Sequence, residues 1–128
     1  MEEDRLKGRE RKVMYSTSLP KGLKVSLEEA ATALHRKKAD WIRTSINLFL
    51  SLPEKEQELL ILSTYNKMEK NQLSPFTTTL TESQLISLNT LSKSLKRSKV
   101  EIFRAAVFNF LSKSTLEQER AIKKSLSR

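Results

Sequence analysis

Phe76-Thr77-Thr78-Thr79-Leu80-Thr81-Glu82-Ser83-Gln84-Leu85 reads as a strand running directly into a capped helix. From Phe76 to Leu80 the residues alternate with period two, as in a half-buried strand. Phe76, Thr78 and Leu80 fall on the inward side, Thr77 and Thr79 on the outward side. Thr81 and Gln84 have the spacing of a capping box, in which an N-cap hydroxyl and a side chain three residues on satisfy each other's backbone N–H. Leu85, Leu88, Leu91 and Leu95 then recur at three and four, which makes one apolar helical stripe. A basic turn, Lys96-Arg97-Ser98-Lys99, leads to a second helix, and Ser98 with Glu101 forms a second capping box. Ile102, Phe103, Ala106, Val107, Phe110 and Leu111 cover a wide arc of that helix, so it is predicted to be the most buried element.

The same pattern occurs 61 residues earlier without a gap. Leu19 falls on Leu80, Leu27 on Leu88, Arg36 on Arg97, Lys38 on Lys99 and Arg43 on Arg104. Phe49-Leu50-Ser51 falls on Phe110-Leu111-Ser112, and Glu56-Gln57-Glu58 on Glu117-Gln118-Glu119. The first copy therefore has a strand at Tyr15-Ser16-Thr17-Ser18-Leu19. Its first helix carries Leu23, Leu27, Ala30, Ala31 and Leu34, and its second Trp41, Ile42, Ile46, Phe49 and Leu50. Pro20 and Gly22 loosen the start of that first helix, which is expected near Lys24 or Ser26. Pro53 to Asn71 reads as a connecting helix, with Leu59, Leu62, Tyr65 and Met68 or Leu60 in reach of one face, followed by a loop to Pro75. Thr115 to Ser127 is its counterpart, more polar and expected to fray. The resulting division is a basic arm at 1–12, units at 13–52 and 75–112, a connection at 53–74 and a polar tail at 113–128.

Composition narrows the function classes. The chain has 128 residues, 24 Lys+Arg against 15 Asp+Glu, a net charge of +9, no Cys, one His and two Gly. A disulfide framework or thiolate metal site is excluded, and one His cannot build an ordinary zinc site. Two Gly leave no phosphate-binding glycine loop. The longest apolar run is Leu59 to Leu62, too short for a membrane span. The N-terminus lacks the apolar segment of a secretory signal, so a cytoplasmic protein is expected. His35 has no accompanying catalytic constellation, and no enzyme activity, cofactor or small-molecule substrate is expected. The excess positive charge points first to nucleic acid and second to an anionic membrane surface.

A strand and two helices, about 45 residues, cannot bury a sufficient core alone. A lone strand also leaves both edges unpaired. Two units solve both problems if their strands pair as an antiparallel ribbon over four helices. In this order of elements the chain resembles the ribbon-helix-helix family of DNA-binding proteins. The residues that carry the resemblance are Thr79 to Leu85 at the strand-to-helix junction and Arg97 to Arg104 at the start of the second helix. It covers roughly residues 12–51 and 73–112. The fold class implied is mainly α with a two-stranded antiparallel β-ribbon, a tandem ribbon-helix-helix forming an intramolecular pseudo-dimer. Tandem chains resemble those found among conjugation and DNA-transfer accessory proteins. The chain departs from the family in two respects. Neither inter-helix turn contains Gly, and the outward strand positions carry hydroxyls where Arg, Lys, Asn or Gln are common.

The resemblance implies that the ribbon reads bases in the major groove of double-stranded DNA through Ser16, Ser18, Thr77 and Thr79. Outward parity extends that face to Lys12 and Met14. It also implies phosphate clamping at the starts of the second helices, which carry Lys37, Lys38, Ser98 and Lys99. Arg43 and Arg104, one turn further in, can either reach phosphate or pair with Asp40 and Glu101 at i, i+3 spacing. The basic stretch from Arg5 to Lys12 can track the DNA. Trp41 is expected in the core, the alternative being stacking on single-stranded nucleic acid. The expected function is a sequence-preferring DNA-binding protein, monomeric as a pseudo-dimer and able to self-associate on DNA. Its use would be transcriptional repression, plasmid partition or DNA transfer in a bacterial or archaeal cell. The alternative is a helical module that binds an acidic partner or a membrane surface through the connecting helix.

Overall fold

The computed structural model describes residues 10–67 and 72–126. Their order is β1 (Lys12–Pro20), α1 (Lys21–Ala33), α2 (Lys38–Leu50), α3 (Glu54–Lys67), β2 (Leu73–Thr81), α4 (Glu82–Leu95), α5 (Lys99–Leu111) and α6 (Thr115–Leu126). Every element of the second half starts 61 residues after its counterpart. The chain is mainly helical, with a single two-stranded antiparallel sheet among the described residues.

The strand register pairs Ser16 with Thr77, Met14 with Thr79, Lys12 with Thr81 and Ser18 with Pro75. Ser16 and Thr77 are also counterparts in the repeat, so the ribbon is symmetric about that pair. β2 begins at Leu73, inside the stretch expected to be loop, and accepts Pro75 because each strand of a two-stranded sheet has a free edge. The two ends of the ribbon close alike. Lys21 N–H donates to the Gln72 carbonyl at 2.7 Å and Glu82 N–H to the Arg11 carbonyl at 3.1 Å. These bonds explain why α1 starts at Lys21 and not near Lys24 or Ser26. The opposite strand supplies the acceptor, so Pro20 serves as N-cap without a side-chain bond. The two capping boxes, Thr81 with Gln84 and Ser98 with Glu101, are both formed.

Beneath the ribbon, α2 and α5 pack against each other and carry half of the buried core residues. Phe103 lies under both strands, its ring 5.3 Å from Tyr15 and 6.3 Å from Phe76. The outer helices cross over, with α3 packing on α5 and α6 on α2. Trp41 is fully buried at that second contact. Its indole N–H donates to Gln118 Oε1 at 3.0 Å and its ring sits 4.8 Å from Phe110. Stacking on single-stranded nucleic acid would need an exposed ring, so the core reading of Trp41 holds.

From Thr115 to Leu126 the C-terminal stretch is docked rather than frayed, and Ser127 lies outside the described residues. Ile122 is fully buried, and Gln118 Nε2 donates to the Phe110 and Lys113 carbonyls, each at 3.1 Å. Gln57 does the same for the first half, donating to the Phe49 carbonyl at 2.9 Å. Arg36 fixes α6 from outside, with a fork on the Glu119 carboxylate at 2.6 and 3.2 Å. That bond holds the Glu119 carboxyl below its usual pKa, against the opposing effect of desolvation. A carboxyl depressed on folding stabilises above its unfolded pKa, and the contribution fades as pH falls through the folded value. Acid should therefore loosen α6. Emission from Trp41, the only tryptophan, should shift to the red as pH falls below the ordinary carboxylate range. Glu119→Gln should remove part of that transition, and identical pH profiles for the two proteins would refute the assignment.

The missing turn glycines have a structural counterpart. His35 and Lys96, at equivalent places, both adopt φ 56°, in the left-handed region. Non-glycine residues there cost about 1–2 kcal/mol, part of which glycine gives back as lost chain entropy. His35→Gly or Lys96→Gly should each raise stability by up to about 1 kcal/mol, read as a higher urea midpoint at unchanged slope. A lower midpoint would mean that the side chains contribute more than the strain.

The shared apolar face of the connecting helix lies at the surface, and a different stripe packs on the core. α3 buries Gln57, Ile61 and Thr64, leaves Leu60 half-buried and turns Leu59, Leu62 and Tyr65 to the surface, 62, 48 and 69% exposed. Met68 lies outside the described residues. No helix among the described residues is long and apolar enough to cross a membrane.

Candidate nucleic-acid interface

The register places Lys12, Met14, Ser16 and Ser18 of β1 on one face with Thr77 and Thr79 of β2, as outward parity predicted. Met14 is 76% exposed; Lys12, Ser16 and Thr77 are exposed and Ser18 and Thr79 half-buried. At the centre Ser16 Oγ and Thr77 Oγ1 lie 3.2 Å apart, and either hydroxyl can donate. Leu73 and Pro75 extend the face at one end, so its two flanks differ chemically.

Two arginines hold the flanks. Arg43, on α2, reaches across to β2. Its Nη1 donates to Thr79 Oγ1 at 2.6 Å and to the Thr79 carbonyl at 3.1 Å, while Nη2 donates to Asp40 Oδ1 at 2.8 Å. Arg104, on α5, reaches across to β1. Its Nη2 donates to Ser18 Oγ and to the Ser18 carbonyl, both at 3.0 Å, and Nε donates to that carbonyl at 3.1 Å. Burial pushes the Arg104 pKa down, with Glu101 acting the other way. An arginine titrates so far above neutrality that Arg104 remains cationic. Of the two expected partnerships, Arg43 makes the carboxylate pair with Asp40. Glu101 pairs with Arg97 at 3.7 Å instead of Arg104. Both guanidiniums are tied to ribbon hydroxyls, an arrangement no spacing rule in the sequence announces.

The starts of α2 and α5 differ. Lys37 is the N-cap of α2 and supplies no side-chain bond, so the first N–H groups of that helix meet no capping oxygen of Lys37. Lys38 pairs with Glu28 at 3.2 Å. At α5 Ser98 Oγ accepts from Glu101 N–H at 3.1 Å and Ser98 N–H donates to Glu101 Oε1 at 3.0 Å. Lys99 is exposed beside them. A polar cleft of about 640 Å³ next to the ribbon brings Lys12, Lys37 and Arg43 together with Asp40, Ser83 and Gln84. Gln84 Nε2 closes its floor by donating to the Arg43 carbonyl at 2.9 Å and to Asn47 Oδ1 at 2.8 Å.

Glu10 borders the same cleft and accepts from Ser83 N–H at 2.8 Å and from the Ser83 hydroxyl. It is the one acid of the expected basic arm that the structure places. Arg5 to Arg9 lie outside the described residues, and Arg11 pairs with Glu82 at 3.7 Å. Among the described residues no group of three His, Cys, Asp or Glu is placed to hold a metal ion. Comparison with protein families, curated proteins and solved structures finds no match to this chain.

Proposed function

We propose that the chain is a tandem ribbon-helix-helix protein whose two units form an intramolecular pseudo-dimer, and that it binds double-stranded DNA with sequence preference. The ribbon would lie in the major groove, which admits a two-stranded β-ribbon. Ser16, Ser18, Thr77 and Thr79 would meet base edges, while Lys37, Lys38, Ser98 and Lys99 would meet phosphates on either side. Lys12 and Met14 would lengthen the reading face at one end.

One observation carries this reading. A row of hydroxyls, symmetric about Ser16 and Thr77, is presented outward and is held from behind by two buried-side arginines. The net charge of +9 supports it, because phosphate neutralisation supplies most non-specific DNA affinity. The cellular role would be transcriptional repression, plasmid partition or accessory work in DNA transfer, with no catalytic step.

The test is selection from random double-stranded DNA at about 150 mM salt, which suppresses phosphate-only binding. Recovery of one short, imperfectly palindromic site is expected, imperfect because the two flanks of the ribbon differ. Retention without a shared site would reduce the reading to phosphate-driven binding, and no retention would overturn it. The exposed stripe of Leu59, Leu62 and Tyr65 favours a second reading, a helical module that binds another protein through α3. That reading predicts no DNA retained and loss of the protein contact in Leu62→Ser.

A further inference from the structure

We infer that Arg43 and Arg104 are positioning residues that set the base preference of the ribbon, by turning Thr79 and Ser18 into hydrogen-bond donors that favour acceptor-rich purine edges. This rests on the proposed DNA-binding reading. A free hydroxyl is indifferent, since it has one O–H and two lone pairs and suits either base type. The hydroxyls of Thr79 and Ser18 are not free in that sense. Each accepts a bond from a guanidinium, at 2.6 Å and 3.0 Å.

A charge-assisted bond of that kind draws electron density from the oxygen. The O–H becomes a stronger donor and the remaining lone pair a poorer acceptor, as in any polarised hydrogen-bond chain. The guanidinium behind it also repels an approaching amino group. Guanine presents two acceptors in the major groove, N7 and O6, whereas cytosine presents an amino donor. The flanking hydroxyls should therefore favour guanine and disfavour the cytosine edge.

The centre of the ribbon behaves differently. Ser16 and Thr77 are bonded to each other in either sense, so the pair can offer a donor or an acceptor. The expected site has weak preference at its centre and strong preference at one position on each side. Each flank also depends on its own arginine. Of the ribbon hydroxyls, Arg43 bonds that of Thr79, its other nitrogen holding Asp40, and Arg104 bonds that of Ser18.

The experiment takes the site recovered by selection and replaces guanine at each flank with 7-deazaguanine, which lacks the N7 acceptor. With the unaltered protein, affinity should fall about tenfold per flank and hardly at all for a purine at the centre. Selection is then repeated with Arg43→Lys and Arg104→Lys, which keep the charge but lose the planar fork. Each variant should relax preference at one flank and keep it at the other. Equal loss of affinity for all sequences would mean that the arginines only support the fold, and would overturn the inference. So would flanks insensitive to 7-deazaguanine, a result obtained on the native protein whatever the variants do. Absence of any shared site would instead overturn the DNA-recognition reading, and this inference with it.

Discussion

Phe103→Ala is expected to lower the unfolding free energy by about 3–5 kcal/mol, the range for emptying a buried phenylalanine site. Domains of ordinary size have about 5–15 kcal/mol in all, so this one change removes a large share. The reason is its place. Phe103 is fully buried on α5 and is the ring that touches both Tyr15 of β1 and Phe76 of β2. Its repeat counterpart is Ile42, a smaller side chain, so the other half offers no equal ring to close the gap. A two-stranded ribbon is marginal without a surface to pack on. The variant should melt on the order of 10 °C lower and lose ribbon and helices in a single transition. The measurement is urea or thermal unfolding followed by circular dichroism and by Trp41 fluorescence. Loss of less than about 1 kcal/mol would mean that the ribbon is held mainly by its ends and by Arg43 and Arg104.

Much of this architecture is legible from the residues. Period-two alternation, two capping boxes and the 61-residue repeat locate the strands and the four inner helices to within a few residues. The departures share a physical cause, because each depends on a partner distant in sequence. The start of α1 is set by the Gln72 carbonyl across the ribbon, which no local signal marks. The docking of α6 depends on Gln118, a polar residue buried because it satisfies Trp41 and two carbonyls at once. The match of Glu56-Gln57-Glu58 with Glu117-Gln118-Glu119 was the available clue, since the middle residue is the buried one in both copies. On α3 two stripes competed, and the apolar-looking one, Leu59 with Leu62 and Tyr65, lost to Gln57, Ile61 and Thr64. Periodicity registers apolar residues and misses a glutamine and a threonine that finish a core face. Arg43 and Arg104 were visible as paired cations, but their hydroxyl partners are 36 and 86 residues away.

Replacing Ser16, Ser18, Thr77 and Thr79 together by alanine should abolish site preference while sparing the fold. Ser16 and Thr77 are exposed, and their mutual bond is removed with both partners, which costs little. Ser18 and Thr79 are acceptors for Arg104 and Arg43, but their backbone carbonyls accept from the same guanidiniums and survive the change. The stability loss should stay within about 1 kcal/mol, read from thermal unfolding. Binding should respond far more strongly. A lost base contact costs about 1–3 kcal/mol, and four such positions lie on the reading face. Affinity for the selected site should therefore fall at least a hundredfold, towards the level of random DNA. Binding to random DNA at low salt should persist with nearly the same salt slope, because no charge has been removed and counterion release is unchanged. The two measurements, titration on the selected site and on scrambled DNA across salt, separate base reading from phosphate attraction. A quadruple variant that folds and keeps the native preference would place recognition elsewhere. The cleft of Lys12, Lys37 and Arg43 would then be the next surface to alter.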